Sequence, residues 1–335
     1  MPPGSLASAS DGEGADPPGT ESKEQLRQRA REERAAVLRS AEAARALRAR
    51  DTAGLVAAAT LPLAQGDLDE SDAAELLELK QQIQRAVAFQ CEGYKEKCLR
   101  RRIGVRMRAR GVHTYADYAR LLEHDATEYQ LLVDTLTINV SKFFRNAEVW
   151  EVVRDRVLPE LFALDAPQLN VWSAGTAGGE EAYTISILMQ EYAAAHGEAV
   201  ERFQITGTDI DRESLGFAAR AEYTDFAMTD IDEAVRDRWF EHDTVYRLKP
   251  QARERVRFDT LDLIRDPYPT GQHLIFCRNV IIYFERAVQE VLFQRFHDAL
   301  APGGFLVLGK VEALFGSSST LFQTVANRQR VFRRT

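Results

Sequence analysis

The chain has 335 residues, 45% of them hydrophobic, and a formal net charge of -8. That length exceeds one small domain, so a large α/β domain with a smaller partner is expected, and the acidic balance argues against a general nucleic-acid binder. The three cysteines, Cys91, Cys98 and Cys277, form no CxxC pair and have no companion histidine cluster, which points to reduced thiols in a cytoplasmic protein and to neither a metal site nor a disulfide framework.

Residues 1–21 are rich in Gly, Ser, Pro, Asp and Ala, cannot offset the entropy of ordering, and are expected to be a disordered tail. They show no basic region followed by an apolar core, so no export signal is expected. Residues 22–67 form an Ala/Arg/Glu-rich extension with a thin apolar stripe of Leu26, Val37, Leu38 and Leu47. Strong helix formers without a sustained heptad predict an exposed helix rather than a coiled coil.

Residues 68–138 read as a compact all-α domain of four helices, DESDAAELLELKQQIQRAVAFQ, GYKEKCLRRRIGVRMRARG, TYADYARLLEHD and ATEYQLLVDTLTIN. The second is basic: Lys95, Lys97, Arg100, Arg101, Arg102, Arg106, Arg108 and Arg110 face only Glu96. Such a local reversal in an acidic chain suits docking onto an acidic surface, either a protein or a phosphate backbone. No run reaches the roughly 18 to 20 apolar residues of a membrane-spanning helix, so no membrane insertion is expected.

After a linker at 139–150, residues 151–335 alternate strand and helix, which predicts a parallel sheet covered on both faces. LNVWSA, FQITGTD, RVRFDTLDL, HLIFCRN and GGFLVLGK read as strands, with one or two more in LFQTVANRQRVFRR. The first strand runs into WSAGTAGGEEAYT, placing Gly175, Gly178 and Gly179 before a helix that begins near Glu180. No Lys-Ser/Thr pair follows, and Glu180 and Glu181 stand where a pyrophosphate would sit, so this is no phosphate loop. Two carboxylates there suit a cation or hydroxyl and amine donors, or else complement the helix dipole. Asp209 ends the second strand, where an acidic residue can accept hydrogen bonds from ribose hydroxyls. A nucleoside without strong phosphate contacts is implied, and S-adenosylmethionine fits better than a dinucleotide. In HLIFCRNVIIYFE, Arg278 and Asn279 interrupt two apolar runs. They either cap a strand-to-helix turn or point into a ligand cleft beyond the strand ends.

LTINVSKFFRN, WSAGTAGGEEAYT, TGTDID, CRNVIIYF and LAPGGFLVLGKVE, in this order and spacing, closely resemble the CheR family of chemotaxis receptor glutamate methyltransferases. The resemblance covers about residues 68–335 and implies a Rossmann-like class I S-adenosylmethionine-dependent methyltransferase domain behind an all-α N-terminal domain. A small antiparallel β-subdomain is implied at about 222–258. By resemblance, Asn139, Ser141, Arg145, Gly175, Glu181, Asp209, Asp262, Leu263, Arg278 and Asn279 would bind the cofactor, with Arg145 and Tyr283 at the transferring methyl. The product would be S-adenosylhomocysteine. The acceptor would be glutamates on the acidic helical cytoplasmic domain of chemoreceptors, docked through Arg100, Arg101, Arg102, Arg106, Arg108 and Arg110. The short turn at His242 to Thr244 suggests a member that needs no receptor pentapeptide, and a monomer is expected. Ser141 replaces a usual Thr, Ala182 a usual Pro, Asp262 an Asn of some members, and Lys310-Val311-Glu312 a His-Ser-Glu. A non-catalytic S-adenosylmethionine-binding scaffold, or a methyltransferase for another carboxylate, are the alternative readings.

Overall fold

The computed structural model describes residues 70–87, 89–137 and 140–335. The expectations for residues 1–67 and for Asn139 lie outside the described residues.

Four helices come first: α1 Glu70–Val87, α2 Glu96–Ala109, α3 Tyr115–His124 and α4 Ala126–Thr137. The Thr114 hydroxyl caps α3 by accepting from the Asp117 amide at 3.1 Å, a contact worth about 1 kcal/mol. Leu76, Leu79 and Ile83 of α1 pack against Leu99, Ile103 and Met107 of α2 and against Tyr118, Leu122, Leu132 and Leu136.

Helix α2 corrects the expectation of a uniformly basic docking face. Leu99, Arg102, Ile103, Arg106 and Met107 recur at helical spacing and are all buried, so two arginines belong to the inward stripe. Arg106 donates from Nε and Nη2 to the two carboxylate oxygens of Glu128 at 2.9 and 2.8 Å, and the Tyr118 hydroxyl donates to the same group at 2.7 Å. Burial works to raise the Glu128 pKa, but the bonds from Arg106 and Tyr118 hold it below the usual range. Arg110 reaches Asp125 at 2.9 Å and Glu128 at 3.1 Å. Arg108 is exposed and Arg100 and Arg101 are half-buried. Counting charge without the 3.6-residue period misassigns Arg102 and Arg106, because a buried carboxylate or cavity can receive a guanidinium.

Helix α5 Ala147–Val152, a π-helical turn Val153–Val157 and α6 Leu158–Phe162 lead into the second part. Strand β1 Leu169–Ala174, helix α7 Glu180–His196, strand β2 Phe203–Asp209 and helix α8 Arg212–Arg220 follow. Next come the short β3 Glu222–Tyr223, helix α9 Glu233–Trp239, β4 Phe240–His242, β5 Tyr246–Leu248 and helix α10 Pro250–Arg253. The chain closes with β6 Val256–Thr260, β7 Gln272–Cys277, helix α11 Arg286–Ala299, β8 Leu300–Leu308, β9 Phe322–Ala326 and β10 Val331–Arg334.

The large sheet has the order β6-β2-β1-β7-β8-β10-β9. Strands β6, β2, β1, β7 and β8 are parallel, and β10 lies antiparallel between β8 and β9. Alternate residues serve opposite faces: Val171, Leu274, Phe276 and Val307 pack with α5 to α7, whereas Trp172, Ile275, Cys277 and Leu306 pack with α11. Between β1 and β7 the strand order reverses, which opens a crevice at their carboxyl ends. The predicted strand RVRFDTLDL stops early, at Thr260. There Asp262 Oδ1 accepts from the Ile264 amide at 2.8 Å, an Asx turn that carries Leu261 to Leu263 out of the sheet. A separate antiparallel sheet has the order β3-β5-β4. The linker's Phe143 is fully buried in it, with ring centroids 4.7 Å from Tyr223 and 4.9 Å from Phe240.

Candidate active site

A cavity of about 480 Å³ occupies the crevice beyond β1, β2 and β7. Ser141, Arg145, Gly175, Glu181, Asp209, Asp262, Leu263, Arg278, Asn279 and Tyr283 all line it. These residues come from five separate stretches of chain, and the strand reversal brings them to one edge.

Each side chain has a local reason for its place. Asp209 Oδ2 accepts from the Ala177 amide at 2.9 Å and Oδ1 from the Asp211 amide at 3.0 Å. Each oxygen retains a further lone pair for a ligand. Burial raises the Asp209 pKa to about 6. Glu181 accepts from the Ser173 hydroxyl at 2.8 Å, and burial raises its pKa against the opposing charge of Arg278. Glu180 makes no contribution to the cavity wall; it is buried beside Gly178, with its pKa raised to about 7 by desolvation.

Arg278 lines the cavity and is at the same time held by protein groups. Its Nη2 donates to the Arg145 carbonyl at 2.8 Å and to Asn146 Oδ1 at 3.1 Å, and Nη1 lies 3.4 Å from Glu181 Oε2. Nη2 therefore holds the linker against the sheet, while the buried Nε has no protein partner. Gly175 has φ +76°, and a Cβ there would stand 2.4 Å from Val280 Cγ2. Asn146, Ala177 and Asn279, all on the cavity wall, also have positive φ. Strained backbone of this kind concentrates at functional sites.

Several wall residues escaped the sequence reading. Arg102, expected on a docking face, lies with its guanidinium carbon 4.1 Å from the Tyr283 ring centroid, and its buried Nε and Nη2 lack protein partners. Lys142 Nζ sits 4.7 Å from the Phe226 ring centroid and 3.5 Å from Asp230. Lys142 could have been flagged from its place in SKFFR, but Phe226 and Asp230 carried no local signal. Tyr94 reaches the wall from before α2 and tilts against Phe284, with centroids 4.8 Å apart.

The donor set tests the fit of a cofactor. Two buried carboxylates on the cavity wall, Glu181 and Asp209, offer lone pairs to ammonium and hydroxyl groups and so suit a cationic, hydroxyl-bearing nucleoside rather than a phosphate. A Rossmann-like sheet with a cavity of this chemistry at its switch point defines an S-adenosylmethionine-dependent methyltransferase.

The chain matches the model of the CheR methyltransferase SAM-binding domain over residues 139–331 and that of the CheR methyltransferase all-alpha domain over residues 74–137. It belongs to the CheR methyltransferase family. A chemotaxis protein methyltransferase of Listeria innocua is 32% identical over 246 residues, covering 73% of this chain and 92% of the relative. Chemotaxis protein methyltransferase 1 of Pseudomonas aeruginosa is 36% identical over 191 residues, covering 55% of this chain and 70% of the relative. That of Klebsiella aerogenes is 30% identical over 249 residues, covering 71% and 83%. Among the described residues no helix is long and apolar enough to cross a membrane.

Proposed function

We propose that this enzyme converts glutamate side chains of chemoreceptor cytoplasmic helices to γ-methyl esters. One observation carries the reading: the cofactor-type carboxylates Asp209 and Glu181 share a single cavity with the cationic side chains of Arg102, Lys142 and Arg145 and with the Tyr283 ring. A cavity with anionic and cationic regions suits a cationic methyl donor and an anionic acceptor together.

Bound S-adenosylmethionine supplies an electrophilic methyl group on its sulfonium. Asp209 would accept hydrogen bonds from ribose hydroxyls, and Glu181 would face the amino acid tail. Asp262, with Oδ1 engaged by its own turn, would offer Oδ2 to the nucleoside. Arg145 would orient the acceptor carboxylate, and Tyr283, under Arg102, would border the methyl. A free glutamate, with a pKa near about 4.3, is already ionised at pH 7, so no general base is required and positioning dominates.

The domain division follows the same reading: a helical docking part over 68–138, a linker at 139–150 that enters the site, and a methyltransferase part over 151–335. Docking would use Arg100, Arg101, Arg108 and Arg110 against acidic receptor helices in the cytoplasm. The reading takes the enzyme as a monomer and as independent of a receptor pentapeptide; for the second, the edge strand β4 of the β-subdomain spans only Phe240–His242, little for an added strand to pair with. A pulldown showing pentapeptide-dependent binding at this subdomain would overturn that point. The main test is incubation with labelled S-adenosylmethionine and receptor membranes. Base-labile methyl esters should form; cofactor binding without them would return the protein to a scaffold role.

A further inference from the structure

The turn that carries Asn279 and Tyr283 rests on one buried carboxylate. Glu312 is 3% exposed, and its oxygens accept four main-chain N–H groups. Oε2 accepts from Gly309 at 2.6 Å and Asn279 at 3.0 Å, and Oε1 from Val280 at 2.9 Å and Ile282 at 3.3 Å. Three donors belong to the turn after β7 and one to the end of the neighbouring β8. No helix or strand pairing reaches these amides, which are half-buried at Asn279, Val280 and Ile282 and buried at Gly309, and Glu312 is the protein group that pairs them.

The surroundings fit a built support. A Cβ at Gly309 would stand 2.7 Å from Glu312 Oε2 and 2.8 Å from the Asn279 amide nitrogen, so the approach of the two segments depends on glycine. Asn279 itself adopts φ +63°. Burial raises the Glu312 pKa, and the main-chain donors oppose this by favouring the anion. From the outer side, the Lys95 amide donates to the Tyr283 carbonyl at 2.8 Å and Lys95 Nζ to the Ile282 carbonyl at 2.9 Å. The turn is held between the helical part and Glu312.

We infer that Glu312 is a positioning residue of the active site: its four main-chain bonds set the wall formed by Asn279 and Val280 and the placement of Tyr283. It acts through the turn, not on the ligand, and the inference rests on the cavity being the S-adenosylmethionine site. The closing Lys310-Val311-Glu312 therefore contributes through its glutamate, whatever precedes it.

Calorimetric titration of the full chain with S-adenosylhomocysteine tests this. Glu312→Gln turns an amide nitrogen toward main-chain donors and should weaken binding at least tenfold per folded molecule. Gly309→Ala disturbs the same bonds with Glu312 intact and should weaken it in the same direction. Loss of folded protein alone would lower stoichiometry and leave Kd unchanged, which separates positioning from general stability. In the unaltered, cofactor-free protein, the amides of Asn279, Val280 and Ile282 should exchange with deuterium slowly, a measurement that needs no variant. Kd values within twofold of wild type, or exchange as fast as in an open loop, would overturn the inference. Failure of the wild type to bind would instead refute the cofactor cavity.

Discussion

Arg278 Nη2 donates to the carbonyl oxygen of Arg145 at 2.8 Å, so one arginine holds the backbone from which the other extends its side chain into the cavity. The bond uses the main chain of Arg145 and survives truncation of its side chain. Arg145→Ala should therefore fold normally and bind S-adenosylhomocysteine, yet lose on the order of 10²-fold in methyl transfer, the scale of a misplaced reactant. Unchanged transfer in that variant would remove Arg145 from the mechanism.

Arg278→Ala should behave differently. It releases the linker and leaves Glu181, 8% exposed, without its cationic partner. Breaking a buried pair from one side costs roughly 3–5 kcal/mol, so thermal unfolding should shift down and cofactor affinity fall together. Denaturant titration beside calorimetry checks both; a variant of wild-type stability would mean that Glu181 is not held by this arginine.

Helix α2 separates docking from folding within one basic run. Arg106→Ala removes two of the bonds to the fully buried Glu128, leaving Tyr118 and Arg110 as its partners, and should cost about 1.5–3 kcal/mol of stability. Arg108→Ala, on the exposed face, should stay within about 0.5 kcal/mol of wild type. Its effect should appear as a higher KM for receptor that shrinks with added salt. Equal unfolding midpoints for the two variants would contradict the buried pairing.

Acid should weaken cofactor binding. Asp209 titrates at about 6 in the free protein because burial disfavours its anion, whereas the proposed ribose contacts favour the anion. Affinity should fall as pH drops from 7 through 6 and below, measured by calorimetry. The stability contribution has the opposite sign: the folded state holds this proton more tightly than the unfolded chain does, so the contribution declines as pH rises from 3.8 toward about 6. A loss of affinity in this window is thus not Asp209-driven unfolding, and flat affinity from pH 7 to 5 would take Asp209 out of the ligand set.

Gly175→Ala adds a Cβ 2.4 Å from Val280 Cγ2 at a positive φ. Strain of roughly 1–2 kcal/mol is expected from the backbone alone, and Val280 must move into the cavity wall. Weaker S-adenosylhomocysteine binding with only a modest fall in melting temperature is the expected result. Wild-type affinity would show that this contact yields freely.

By itself the sequence determined the alternation of strands and helices, the glycine loop after β1, Asp209 at the end of β2 and the polar pair Arg278-Asn279 at the end of β7. These are local features: side-chain periodicity, turn chemistry and the cost of stranding polar groups between apolar runs all act over a few residues. Tertiary structure decided the rest. Whether Arg102 and Arg106 face solvent or protein depends on what packs against α2, and only the folded chain supplies Glu128 for one and the Tyr283 ring for the other. Glu312 reads as one acidic residue in a closing loop until β7 and β8 lie side by side and turn four amides toward it. That Arg278 also holds the linker is unreadable until a segment more than a hundred residues earlier brings the Arg145 carbonyl within 2.8 Å. Hydrogen bonds between distant segments leave no periodic trace, because either partner alone satisfies only its own local rules.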